Sequence, residues 1–167
     1  DVGSGKTIVS VIAALNAVKA GYQVAIMAPT EILANQHYKY IINNFKKYCN
    51  SEILTGKTEY RQRKKILNDL LNKKIDILIG THALFQNKIT YNNLGLIIID
   101  EQHKFGVNQR KKLSDKGGNN CDVLVMSATP IPRTMMMTIY GDMDISLIKS
   151  KPKNRKAIKT YSKNETK

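Results

Sequence analysis

The sequence is short of cysteine, proline and acid. Two cysteines in 167 residues, Cys49 and Cys121, stand alone with no CxxC or other metal-ligand spacing. That excludes a disulfide scaffold and a cysteine zinc site, and it reads as reduced thiols in an intracellular protein. No apolar run nears the roughly 18–20 residues a membrane span needs, and no signal peptide opens the chain. No internal repeat is present. Acidic residues number 13 against 27 basic ones, a formal net charge of +14. That imbalance points to a polyanionic partner, with nucleic acid first. Lys, Asn and Ile are all abundant, as an AT-rich genome also produces, so a lysine-rich solvated surface is the alternative source of the charge.

The rest is ordinary globular composition, 42% hydrophobic and 24% charged. The length suits one domain with a real core. The chain begins at Asp1, inside a motif, and ends in a polar basic tail, which is expected of part of a longer protein. Residues 1–148 are expected to form one domain and 149–167 a basic linker.

The central stretch is Leu96-Ile97-Ile98-Ile99-Asp100-Glu101-Gln102-His103. Apolar residues without alternation suit a strand buried on both faces of a parallel sheet. The carboxylates then fall at the strand's C-terminal end, where open α/β sheets bind ligands. Asp100 can reach a Mg²⁺ ion, and Glu101 can orient and deprotonate a water, the two roles that phosphoryl transfer to water requires. Two adjacent buried carboxylates are costly without a cation. A solvated acidic turn after a strand is the bland alternative.

What lies upstream decides against it. Asp1-Val2-Gly3-Ser4-Gly5-Lys6-Thr7 matches the end of the P-loop pattern G-x-x-x-x-G-K-[ST]. Gly3, Ser4 and Gly5 would let backbone N–H groups curl around phosphates. Lys6 would reach the β/γ oxygens of ATP, and the Thr7 hydroxyl would bind Mg²⁺. A helix must follow, its positive end toward the phosphates. Ile8, Val11, Ile12, Leu15 and Val18 keep helical spacing, and Gly21 is placed to end the helix. The strand that normally precedes a P-loop is missing, so a gapped sheet is expected.

Strand and helix then alternate. Gln23–Met27 reads as a strand, and Thr30 as the N-cap of a helix with Leu33, His37, Tyr40, Ile41, Phe45 and Tyr48 on one face. Ser51–Leu54 is a short strand. Thr58 caps a helix with a solvated basic face and with Ile66, Leu67, Leu70 and Leu71 turned to the core. Strands follow at 75–79 and 123–126, with a helix around 107–113 between them and a turn at 117–120. Pro132 opens and Gly141 closes another helix, and 145–148 is a last strand. The alternation predicts a doubly wound, mostly parallel α/β sheet with helices on both faces. Its polar signatures would lie on one rim.

With these motifs in place, the whole chain resembles the first RecA-like motor domain of a superfamily 2 helicase, and the RecG family in particular. The resemblance rests on Asp1–Thr7, on the run from Ala28 to His37, and on Thr55-Gly56 and Gly80–Leu84. It rests further on Asp100-Glu101-Gln102-His103 and on Ser127-Ala128-Thr129-Pro130-Ile131-Pro132-Arg133-Thr134, with Phe105-Gly106-Val107 and Gln109-Arg110 alongside. It implies ATP hydrolysis by Lys6, Thr7, Asp100 and Glu101. Gln102 and His103 would sense the γ-phosphate and pass its state to Ser127 and Thr129. Thr30, Gln36, Thr55, Gly56 and Thr81 would contact the DNA backbone, although a threonine at a helix or strand end is often only a cap. His37 and His82 read as packing or capping residues.

The resemblance also implies a bacterial cytoplasmic, nucleoid-associated monomer acting on branched or forked DNA. A second RecA-like domain and a wedge domain would lie in the same parent chain. The sequence departs from the family at Lys104 (usually Arg), at Ser127 (commonly Thr) and in the linker at 151–155. Two alternatives stay open. One is a duplex translocase like the transcription-repair coupling factor Mfd, which usually has Glu where Gln102 stands. The other is a non-catalytic nucleic-acid-binding module with a vestigial nucleotide site.

Overall fold

The structure, a computed structural model, describes residues 5–85, 89–101, 121–128 and 144–148. Helix α1 (Lys6–Lys19) follows Gly5, whose φ of 89° is a left-handed conformation that side chains disfavour. The helix ends as Gly21 predicts. Gly21 takes φ 87° and its N–H bonds Val18 O at 2.9 Å, while the Tyr22 N–H reaches back to Ala17 O at 3.0 Å. This pair of bonds satisfies the last carbonyls of the helix and turns the chain into the sheet.

Strand β1 (Gln23–Met27) is buried at every position. Helix α2 (Glu31–Phe45) starts at Thr30, whose Oγ1 accepts the Leu33 N–H at 3.3 Å, as an N-cap should. Strand β2 (Ser51–Leu54), helix α3 (Tyr60–Leu71), strand β3 (Ile77–Gly80), a 3₁₀ turn (His82–Phe85), strand β4 (Leu94–Ile99) and strand β5 (Asp122–Val125) follow. All pairings are parallel, in the order β2-β3-β1-β4-β5.

The expected gap does not occur among these strands. β1 pairs directly with β4, and β4 with β5, so the ladder is continuous across the five. Alternation sorts the side chains. Val24, Ile26, Ile77, Ile79, Leu96 and Ile98 pack toward α1 and α2. Ala25, Met27, Leu78, Ile97 and Ile99 pack toward α3 and the 3₁₀ turn, with Ile66, Leu70 and Leu84. Both faces are covered, which is why the strands read as unbroken apolar runs.

The register slips between Gln23 and Val24, where one residue of β1 is matched by two of β4, so Gly95 is the extra residue. A Cβ on Gly95 would sit 2.5 Å from the Tyr22 ring. Beside this bulge, Gln23 is 3% exposed and bonded throughout. Its Nε2 donates to Leu70 O (2.7 Å) and Ile75 O (2.8 Å), and its Oε1 accepts the N–H groups of Asn92 (2.8 Å) and Asn93 (3.1 Å). One amide thus ties β1 to the end of α3 and the start of β4. Gln23→Leu is expected to destabilise the protein by about 3 kcal/mol, because the four backbone groups it leaves lose their partner. Chemical denaturation checks this. A loss under about 0.5 kcal/mol, the usual range of an inconsequential substitution, would show that water takes over the bonds.

Four expectations change here. Thr58 does not cap α3, whose N-cap is Glu59 with no side-chain bond. Thr58 Oγ1 instead accepts the Thr55 N–H at 3.0 Å and closes the preceding turn. Leu71 is 47% exposed because it falls on the last residue of α3, past the stripe of Ile66 and Leu70. Tyr48 lies beyond the end of α2 and is exposed. Residues 144–148 are exposed and form no strand, since they pair with no described neighbour.

Both cysteines are free. Burial, with Asp122 adding to it, pushes the Cys121 thiol up to about 11, and burial likewise raises Cys49. Raised values suit inert thiols rather than nucleophiles. The elements expected at 107–113, 117–120 and 132–141, and the linker from 149, lie outside the described residues.

Candidate nucleotide site and nucleic-acid rim

In a parallel sheet every strand ends on the same edge, so the residues after each strand form one rim. Ala28–Thr30 follow β1, Thr55-Gly56 follow β2, Thr81 follows β3, Asp100-Glu101 follow β4, and Ser127 lies just past β5. Backbone bonds lock this edge. Ala28 N–H donates to Gly80 O, Asp100 N–H to Met27 O and Met126 N–H to Ile99 O, at 2.8–2.9 Å. The strand order divides the rim. The group assigned to nucleic acid lies over β2, β3 and β1, and the carboxylates and Ser127 lie over β4 and β5.

Asp100 continues the even-numbered set of β4, after Leu96 and Ile98, so its side chain turns to the α1/α2 face. There it lines a cleft of about 480 Å³ with Gly5, Thr7, Ile8, Leu33, Gln36, His37 and Tyr40. The start of the P-loop helix and the strand-end carboxylate, 93 residues apart in sequence (100 − 7), therefore share one cavity. Asp100 Oδ1 accepts the Glu101 N–H at 3.0 Å, and Oδ2 accepts a bond from His37 Nε2 at 2.9 Å. Glu101 has φ 50°, one of two left-handed non-glycine residues among those described. A glutamate in that region is uncommon, and such backbone concentrates at functional sites. The turn breaks the strand's alternation at Glu101.

Of the expected site residues, the structure brings together Gly5, Thr7 and Asp100 in the cleft. Lys6 opens α1 beside them, and Glu101 is next to Asp100. Gln36, expected at the polymer, also lines this cleft. It follows Leu33 by three positions along α2 and so lies over the cavity. Thr55 and Thr81 are each 8% exposed. The Thr55 hydroxyl accepts the Lys57 N–H at 3.2 Å within its own turn, Thr30 caps α2, and Thr30 and Gly56 are exposed. Gly3, Ser4, Gln102, His103 and Thr129 lie outside the described residues.

Sequence reasoning missed His37. Its position in an otherwise buried stripe, between Ala34 and Ile41, was the available signal. His82 is exposed at the start of the 3₁₀ turn.

The oxygen donors in the cleft fit Mg²⁺. One hydroxyl (Thr7) and one carboxylate (Asp100) suit an ion that keeps waters and takes substrate phosphates for its other ligands. Among the described residues no three His, Cys, Asp or Glu cluster to cage a metal, and this mode of binding needs no such cage.

A parallel sheet with a glycine-opened helix and a carboxylate pair on its carboxyl rim defines a RecA-like P-loop nucleotide-binding domain. The chain belongs to the DEAD/DEAH box helicase family, whose family model matches residues 1–138. It is 54% identical over 162 residues to the ATP-dependent DNA helicase RecG of Aquifex aeolicus (strain VF5), covering 96% of this chain and 20% of that protein. It is 51% identical over 162 residues to RecG of Bacillus subtilis (strain 168), covering 96% of this chain and 24% of the relative. A solved structure of RecG bound to a three-way DNA junction superposes with a TM-score of 0.70 at 47% identity, over 84% of this chain and 19% of that one. The Pyrococcus furiosus Hef helicase domain shares the fold, with a TM-score of 0.63 at 21% identity, over 84% of this chain and 32% of that chain. The chain thus spans about a fifth to a quarter of the length of these curated relatives.

Proposed function

We propose that this domain is the first motor domain of an ATP-dependent DNA helicase that remodels branched DNA, with residues 1–148 as the motor and 149–167 as a linker to a second motor domain. The observation that carries the reading is the cleft shared by Thr7 and Asp100, the sequence neighbours of Lys6 and Glu101. Lys6 would hold the β/γ-phosphate oxygens, and the N-terminus of α1 would face the same phosphates. A Mg²⁺ ion held by Thr7 and Asp100 would neutralise charge on those phosphates. Glu101 would orient the attacking water and accept its proton. Gln102 and His103 would sense the γ-phosphate, and Ser127 and Thr129 would relay its state.

Thr30, Gln36, Thr55, Gly56 and Thr81 would take the DNA backbone, contacts that position a strand without reading its sequence. The buried threonines would contribute mainly by shaping the turns whose backbone faces the phosphates. The solved RecG–junction complex supports DNA as the polymer and a branched form as the substrate.

The test is ATP turnover by the full-length protein on forked DNA against linear duplex at matched salt, since backbone binding is strongly salt-dependent. Turnover is expected to be higher on the fork. Equal stimulation would instead favour a duplex translocase, and no stimulation by either would favour a binding module.

A further inference from the structure

The His37–Asp100 bond joins the two halves of the rim. His37 belongs to α2, the helix that leaves the nucleic-acid side, and Asp100 to the end of β4 on the nucleotide side. The two are 63 residues apart in sequence and 2.9 Å apart in space. Their side chains are 8% and 15% exposed. A histidine in a core stripe is most simply a packed residue, and the neighbours Ala34 and Ile41 are fully buried, as that view requires. The partner argues otherwise. His37 does not satisfy itself on a backbone carbonyl of its own helix. It donates from Nε2 to one oxygen of the carboxylate that the cleft offers to a cation, while the Glu101 N–H holds the other oxygen at 3.0 Å. With one donor on each oxygen the carboxyl plane cannot rotate, and each oxygen keeps a further lone pair for the cation or its water.

We propose that His37 is a positioning residue that aims the Asp100 carboxylate at the nucleotide-bound Mg²⁺ from the α2 side of the cleft. Its backbone is well placed for this. Thr30 fixes where α2 starts, and the buried Ala34 and Ile41 fix the helix's rotation against the sheet, so the ring's origin is set by packing. Movement of α2 relative to β4 would therefore turn the carboxylate. Groups in the shell behind a metal ligand commonly set metal affinity, with losses of about 10–100-fold on mutation.

The inference rests on the reading of the cleft as a Mg²⁺–nucleotide site, and the experiment separates the two. A fluorescent ATP analogue is bound to the full-length protein across a Mg²⁺ titration, without DNA. In wild type the affinity should rise with Mg²⁺; if it does not, the cleft reading itself fails. His37→Phe keeps an aromatic ring, a somewhat larger one, and removes the donor. It is expected to raise the Mg²⁺ midpoint about 10-fold or more. His37→Gln places an N–H donor near the position of Nε2 and should recover most of the loss. An unchanged midpoint in folded His37→Phe would overturn the proposal. So would a loss that His37→Gln does not relieve, because it would assign the effect to ring packing. Should His37→Phe not fold, histidine-labelled wild-type protein gives a second reading. The ¹⁵N resonance of His37 Nε2 should move when Mg²⁺ is added to the nucleotide-saturated protein, and a stationary resonance would overturn the proposal.

Discussion

Glu101→Gln in the full-length protein is expected to cut ATP turnover by about 10²–10⁴-fold, the usual contribution of a general base, while Mg²⁺–nucleotide binding persists. The substitution keeps size and hydrogen-bonding reach but removes the proton acceptor. It is also clean in the backbone. Glu101 sits at φ 50°, and Gln meets the same steric cost there, so the turn at residue 101 should survive. The neighbouring Asp100 keeps both donors found in the structure, His37 Nε2 and the residue 101 N–H. Turnover and equilibrium binding of a nucleotide analogue, measured on the same preparation, check the prediction. Loss of binding alongside turnover would mean that Glu101 holds the turn together rather than acting on water.

Lys6→Ala is expected to lower turnover by at least about 10²–10³-fold, the cost of removing one preorganised group from a charge-developing site. Unlike Glu101→Gln, it should weaken nucleotide binding as well, because in the proposed role the ammonium would contact phosphates in the ground state. Folding should be spared. Lys6 is the first residue of α1, and alanine has the highest helix propensity. The helix is anchored farther along by Val11 and Ala14, which are buried against the sheet. Thermal melting and turnover together decide the matter. Turnover near wild type in a folded variant would remove Lys6 from the chemistry. A collapsed melting temperature would place it in the fold.

The two substitutions separate what the cleft does in sequence. In the proposed reading Lys6 would act on the substrate before and during reaction, whereas Glu101 would act only when water attacks. A protein with a vestigial nucleotide site would be indifferent to both.

How far the chain could be read before its fold was known depended on the range of each interaction. The helix after the P-loop was legible because its spacing, its opening Gly5 and its closing Gly21 all act within one or two turns. Thr30 as an N-cap was legible for the same reason, since the bond to Leu33 spans three residues. Thr58 had the same local appearance and went elsewhere. Its hydroxyl was captured by the Thr55 N–H in the preceding turn, and two local options of similar energy cannot be ranked from sequence. The apolar run 145–148 resembled a strand, but a strand exists only where a neighbour offers hydrogen bonds, and none among the described residues does.

The residues alone determined the class of this protein: a parallel α/β domain, a phosphate-binding helix start, and a carboxylate pair at a strand end. Each follows from short-range sterics, alternation or charge, which are written in neighbouring letters. Tertiary structure alone decided the strand order, the bulge at Gly95 and the amide hub at Gln23. It also placed Gln36 in the cleft with Thr7 and Asp100 and brought His37 onto Asp100. These depend on side chains meeting across tens of residues, where a 2.9 Å contact leaves no trace in sequence spacing. Parallel pairing set the carboxyl ends of all five strands on one edge, and helix packing then chose which side chain would reach the carboxylate.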